Sequence, residues 1–168
     1  MRKLVLLAAA CLALGGCGTS YSWRSSVPAN LRTVAVPTFR NESDVMELGA
    51  VATRQLLREF QREGTFKIRS SDEAAIEIQG VVRSASSNIN AYDRRSGMCV
   101  SAYKAEAEVE VSVVDRRSGK VLVNNRLYRP QADFMAAQDM TTARRDASGR
   151  LMEDLARQVV DDVLNLKW

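Results

Sequence analysis

Glu106, Glu108 and Glu110 recur at every second position of one segment, and two arginine doublets, Arg94-Arg95 and Arg116-Arg117, stand inside two copies of the pentapeptide DRRSG. Clustered carboxylates hold divalent cations or move protons, whereas paired guanidinium groups grip phosphates through parallel hydrogen bonds. Period-2 spacing lines the glutamates along one strand face with no other ligand type beside them in sequence. A solvated face is therefore the expectation, and an acid-base or metal site the alternative. Histidine is absent from all 168 residues. That removes Ser-His-Asp and Cys-His nucleophile systems, histidine-ligated zinc and imidazole switching. Motifs of the GxSxG, HExxH and CxxC kind, phosphate loops and dinucleotide fingerprints are missing as well, so no enzyme, cofactor or metal site is expected. The 24 Lys+Arg outnumber the 20 Asp+Glu by little, and by only two once the terminal Arg2 and Lys3 are set aside, which does not suggest a nucleic-acid partner.

The elements that must carry these residues follow from periodicity. In the segment from Val100 to Val114, Tyr103, Ala105, Ala107, Val109, Val111 and Val113 fall on one face, and Lys104, the three glutamates and Ser112 on the other. This predicts a long half-buried strand. Further strand signals are Leu31 to Pro37, Phe66 to Arg69, Ile76 running toward Asn90, and Lys120 to Arg129, with Pro37 ending the first. Asn41 to Asp44 offer N-caps, and Val45, Leu48, Ala52, Leu56 and Phe60 recur at helical spacing until Gly64. A terminal helix is marked by Leu151, Leu155, Val159, Val163 and Leu166, after a polar stretch from Gln131 to Thr142. The order β-α-β-β-β-β-α predicts an α+β two-layer sandwich, two helices packed on one face of a mostly antiparallel four- to five-stranded sheet. Each pentapeptide, at 93–97 and 115–119, lies between strand signals as a hairpin loop. Asp and Ser bond local amides there while Gly accepts positive φ. One strand separates the two loops, so the doublets form two patches at opposite sheet ends, each read first as a solvated turn and second as an anion site.

The N-terminus sets the compartment. Met1-Arg2-Lys3 is a basic start, and Leu4 to Leu14 is an apolar run of 11 residues, far short of the roughly 20 that span a bilayer. Leu14-Gly15-Gly16-Cys17 follows and resembles the lipobox of bacterial lipoproteins. Residues 1–16 are thus expected to be a signal peptide, Cys17 the lipidation site, and 17–30 an acylated tether, leaving 31–168 as one domain. The resemblance implies two or more acyl chains, palmitate among them, and such a set anchors stably where one chain does not. Gly18 rather than Asp after the cysteine favours the periplasmic side of the outer membrane. Cys11 leaves with the leader and Cys17 carries lipid, so Cys99 stands alone and no intrachain disulfide is expected. A small apolar role suits Cys99 better than an interchain bridge or reactive thiol.

Lipobox and tether, then Leu31-Arg32-Thr33-Val34-Ala35-Val36-Pro37-Thr38-Phe39-Arg40-Asn41, a helix ending Leu57-Arg58-Glu59-Phe60, the Gly80 strand, the Tyr103-Lys104 strand and the Ser118-Gly119-Lys120-Val121-Leu122 hairpin resemble the lipopolysaccharide-assembly lipoprotein family LptE. The resemblance runs through the mature chain in element order. It implies a non-enzymatic Gram-negative outer-membrane subunit that plugs and helps assemble the large β-barrel LptD and assists lipopolysaccharide transport to the outer leaflet. Basic residues at loop tips are implied in lipopolysaccharide contact, which carries over to Arg94 and Arg95. Arg116 and Arg117 are weaker basic-patch candidates, from charge alone. A second resemblance, over Thr33 to Asn41 and Gly64 to Ile68, is to CsgG-like secretion lipoproteins and penicillin-binding-protein activators. Against it, the chain lacks a second glycine-rich segment and paired amphipathic hairpins.

Overall fold

The computed structural model describes residues 27–92, 100–135 and 139–168, so the leader, Cys17, most of the tether, Arg94, Arg95 and Cys99 lie outside the described residues. A 3-10 turn at Ala29–Leu31 leads into β1 (Thr33–Ala35), β2 (Arg40–Asn41) and α1 (Leu48–Glu63). Then come β3 (Lys67–Ile68), β4 (Ile76–Tyr92), β5 (Val100–Asp115), β6 (Val121–Tyr128), β7 (Gln131–Met135) and α2 (Met140–Leu164). The alternation of β5 is realised: Ala105, Ala107, Val109, Val111 and Val113 are buried, while Glu106, Glu108, Glu110 and Ser112 are half-exposed on the far face.

The sheet is mixed and curled rather than a mostly antiparallel flat layer, which corrects the sequence-based expectation. Its main path runs β3-β1-β4-β5-β6, with β2 beside β4 and β7 beside β5. β1 pairs in parallel with both β3 and β4, and β2 in parallel with β4; the pairs of β5 with β4, β6 and β7 are antiparallel. The cause is connectivity. α1 carries the chain back to the end where β1 began, so β3 enters in the same direction. Because β3 is two residues long, the 69–75 segment returns without a helix, and the Ala75 N–H donates to Thr33 Oγ1 at 2.9 Å as β4 starts. β4 and β5, of 17 and 16 residues, each run about 50 Å at ordinary strand rise and so take more than one neighbour along their length. β7 falls in the stretch expected to be polar connector, where only Ala132 and Phe134 point inward over five residues.

Both helices carry the expected stripes with displaced starts. α1 buries Leu48, Ala52, Leu56 and Phe60 and closes at Gly64, φ +82, whose N–H donates to the Phe60 carbonyl. It begins after the expected caps. Asn41 spends its side chain on a local turn instead, donating to the Val45 carbonyl and accepting from Ser43, which leaves Val45 outside the helix and 37% exposed. α2 starts at the connector's end, where Asp139 accepts from the Thr141 and Thr142 amides, and it finishes at Leu164, short of Leu166. Leu151, Leu155, Val159 and Val163 of α2 join the α1 stripe and the inner sheet residues Ile76, Ile78, Val82, Val109 and Val111 in one core. Phe39 fastens β2's approach to that core. Its ring lies where a Cβ on Gly80 would be, 2.1 Å from the nearest ring carbon, and its N–H donates to Thr53 Oγ1 at 2.9 Å. Tyr128 ties β6 to α2 by donating to Asp162 at 2.7 Å, and burial followed by this bond pushes its phenol well up.

Candidate functional site

The outer sheet face, opposite the helices, holds the three glutamates, and each meets a cation. Glu110 lies 2.6 Å from Arg83, which also reaches Glu42 at 2.5 Å; Glu42 in turn lies 2.7 Å from Arg40. Glu108 accepts from Arg129 at 2.9 Å, and Glu106 faces Lys104 at 4.0 Å. Four cations and four carboxylates thus balance across β2, β4, β5 and the turn after β6. Arg83 reaches both sides because it sits in a bulge, the register stepping from Val82 to Ser84 against Val109 and Glu108. The hydrogen bond from Arg83 holds the Glu110 carboxyl below its ordinary value. A carboxylate so held is a poor proton acceptor at neutral pH. No group of three metal-ligating side chains occurs among the described residues.

The 115–119 loop has the geometry that its sequence predicts. Asp115 accepts from the Arg117 and Ser118 amides at 2.9 and 3.4 Å and from the Ser118 hydroxyl at 2.7 Å, and Gly119 takes φ +70. The Ser118 hydroxyl, then the Arg117 amide, lower the Asp115 carboxyl. The doublet divides its labour. Arg116 turns back onto the sheet, its Nη1 3.2 Å from Oε2 of Glu77, an ion pair without hydrogen-bond geometry. Glu77 is buried, and its other oxygen accepts from Gln79 at 2.7 Å. Arg117 is exposed and makes no ion pair among the described residues. The loop stands at the Asp115 end of β5, opposite the Val100 end. Arg83, Arg40 and Glu77 were not singled out from sequence, although a signal exists for the first. The inward set Ile76, Ile78, Gly80, Val82 changes phase to Ala85, Ser87, Ile89, which marks a bulge at Arg83.

The inner face opens into a groove of about 320 Å³ where the helices thin out. Leu48 of α1, Ala85 of β4, Ala105 of β5, Phe134 of β7 and Leu151 of α2 line it, with Arg144 among the polar residues. Phe134 stacks on Tyr103 across β5 and β7, centroids 5.2 Å apart. Methionines expose themselves near this end: Met46 follows the groove-lining Val45, and Met135 follows Phe134.

Fold and faces define a two-helix α+β domain with a charge-balanced outer sheet face and a mainly apolar inner groove. A family model described as LptE, lipopolysaccharide-assembly, matches residues 31–163, and the chain belongs to that family. Of the two resemblances read from sequence, the first is thus the family shown. No curated protein matches the chain. Among solved structures it is similar to the hypothetical protein CT253 from Chlamydia trachomatis, with TM-score 0.54 and 14% identity over 80% of this chain and 96% of that one. It is also similar to a putative lipoprotein from Caulobacter crescentus, with TM-score 0.50 and 15% identity over 76% and 88%. Uncharacterized lipoprotein B from Nitrosomonas europaea matches with TM-score 0.50 and 15% identity over 88% of each chain. At these identities the likeness is one of fold.

Proposed function

We propose that this chain is a lipid-anchored lipoprotein of the outer membrane, on its periplasmic side, that plugs and helps assemble an LptD-like β-barrel and assists lipopolysaccharide transport to the outer leaflet without enzymatic activity of its own. The family match over residues 31–163 carries the reading. Two physical features support it. A barrel lumen is polar, and an outer sheet face on which these four cations and four carboxylates neutralise one another can sit against such a wall without bringing an unpaired charge from them. Cys17 after an apolar leader supplies the anchor. Arg94 and Arg95 are the lipopolysaccharide-contacting pair; Arg117, exposed and without an ion pair, ranks after them, and Arg116 is engaged by Glu77.

Extraction of the native protein in mild detergent, affinity capture and mass identification test the partnership. A stoichiometric large outer-membrane β-barrel is the expected companion. Emergence of the chain alone, or as a homo-oligomeric ring, overturns the plug reading. On the ligand side, Arg94→Asp with Arg95→Asp should weaken lipopolysaccharide binding about tenfold or more at moderate salt while the circular dichroism stays unchanged. Unchanged binding by the folded double mutant would remove that loop from the site.

A further inference from the structure

We propose that the inner-face groove receives one acyl chain of an anionic amphiphile, with the charged headgroup meeting Arg144. Its walls are mainly apolar and come from five elements: Leu48, Ala85, Ala105, Phe134 and Leu151. Its volume, about 320 Å³, falls in the range of small-molecule sites. The floor is made of small side chains on a ribbon whose backbone groups are paired in the sheet plane, β4 against β5 and β5 against β7. A peptide entering the groove would bring amides that need partners, and the floor offers few; a hydrocarbon chain brings none. Of the polar lining, the Ser148 hydroxyl donates to the Arg144 carbonyl at 3.0 Å, and the Ser86 and Ser87 hydroxyls are too few to pair the amides of a peptide lying along the groove. The Arg144 guanidinium makes no ion pair among the described residues, so an anion at the rim finds an uncommitted cation. The inference rests on the proposed function only for the identity of the natural amphiphile; the groove itself is tested with a synthetic one.

The probe is dodecyl phosphate bearing a diazirine near the end of its chain, added to the full chain in neutral phosphatidylcholine nanodiscs and mapped by mass spectrometry after illumination. Crosslinks should fall on Leu48, Ala85, Ala105 and Leu151. Ala85→Phe, which fills the groove, should reduce them at least tenfold. Plain dodecyl phosphate should compete, and inorganic phosphate should not. Arg144→Gln should weaken competition by dodecyl phosphate three- to tenfold and leave that of uncharged dodecyl maltoside unchanged. Labelling elsewhere, full labelling of a folded Ala85→Phe variant, or equal competition by inorganic phosphate would overturn the proposal. So would absence of labelling with bifunctional crosslinks from the groove to residues 18–26 or to a second copy, which would name that occupant instead. Should Ala85→Phe fail to fold, the wild-type map and Arg144→Gln decide. None of these readouts needs lipopolysaccharide or a barrel, so failure here leaves the proposed function standing, and loss of the barrel partner leaves the groove to its own test.

Discussion

The two halves of the β4–β5 ribbon obey one alternation and do opposite things with it. From Ile76 to Val82, against Val109 to Val113, the inward side chains are branched and nearly inaccessible, except at Gly80, where the Phe39 ring takes the space, and they join both helix stripes in one core. From Ala85 to Ile89, against Tyr103 to Ala107, the inward set is mostly Ala and Ser, and a groove stands where the other half has core. Period therefore decides which face turns inward, while side-chain size decides whether a helix can seat on it. The outer face repeats the asymmetry: Arg83 clasps Glu110 at 2.6 Å in the packed half, whereas Lys104 stands 4.0 Å from Glu106 in the open one.

Truncation should separate the halves most clearly. Leu155 is 1% exposed among sheet and helix side chains, so Leu155→Ala is expected to cost roughly 2–5 kcal/mol, the lost transfer energy plus an unfilled cavity. Ala85→Val, which adds volume to open space in the groove, should stay within about 0.5 kcal/mol. Urea unfolding at constant m-value measures both. Equal losses would mean that the groove is packed in solution as tightly as the core, and the comparison would break.

Gly80→Ala comes next. The added methyl would fall 2.1 Å from the Phe39 ring, so the ring must move, and Phe39 cannot move freely while its N–H is bound by Thr53. Overpacking of this kind costs roughly 1–3 kcal/mol. A Phe39→Leu, Gly80→Ala double variant should recover part of that loss, because the clash is between those two side chains. Additive losses in the double-mutant cycle would place the strain elsewhere.

Much of this was legible in the sequence, and the parts that were not share a physical cause. The β5 alternation, the α1 stripe with its Gly64 stop, and the Asp115 to Gly119 turn depend on contacts within a few residues, which periodicity reports. The parallel β1–β3 and β1–β4 pairings depend on where a two-residue strand lets the chain turn back, and no local pattern carries that. β7 was lost because five residues with two inward side chains look like connector until β5 is there to receive them. At the site, Arg116 and Arg117 are indistinguishable in sequence. Only the buried Glu77, 39 positions earlier, makes one of them structural.

The smallest effect is electrostatic and sharpens the comparison on the outer face. The Arg83 hydrogen bond holds the Glu110 carboxyl below its ordinary value, so the folded state takes up this proton less readily than the unfolded chain. The resulting stabilisation is complete above the unfolded value near 4.5 and is lost as the pH falls through the depressed folded value. Glu110→Gln should therefore unfold at lower urea than the parent at neutral pH, and the gap should close once the pH drops well below that value. Salt should shrink it at pH 7, since the pair is solvent-facing. Glu106→Gln, whose partner stands 4.0 Å away, should show the smaller gap at neutral pH. Equal gaps would mean that Lys104 closes on Glu106 in solution, which would make the charge network as tight over the groove as over the core and leave side-chain size on the inner face as the sole difference between the two halves.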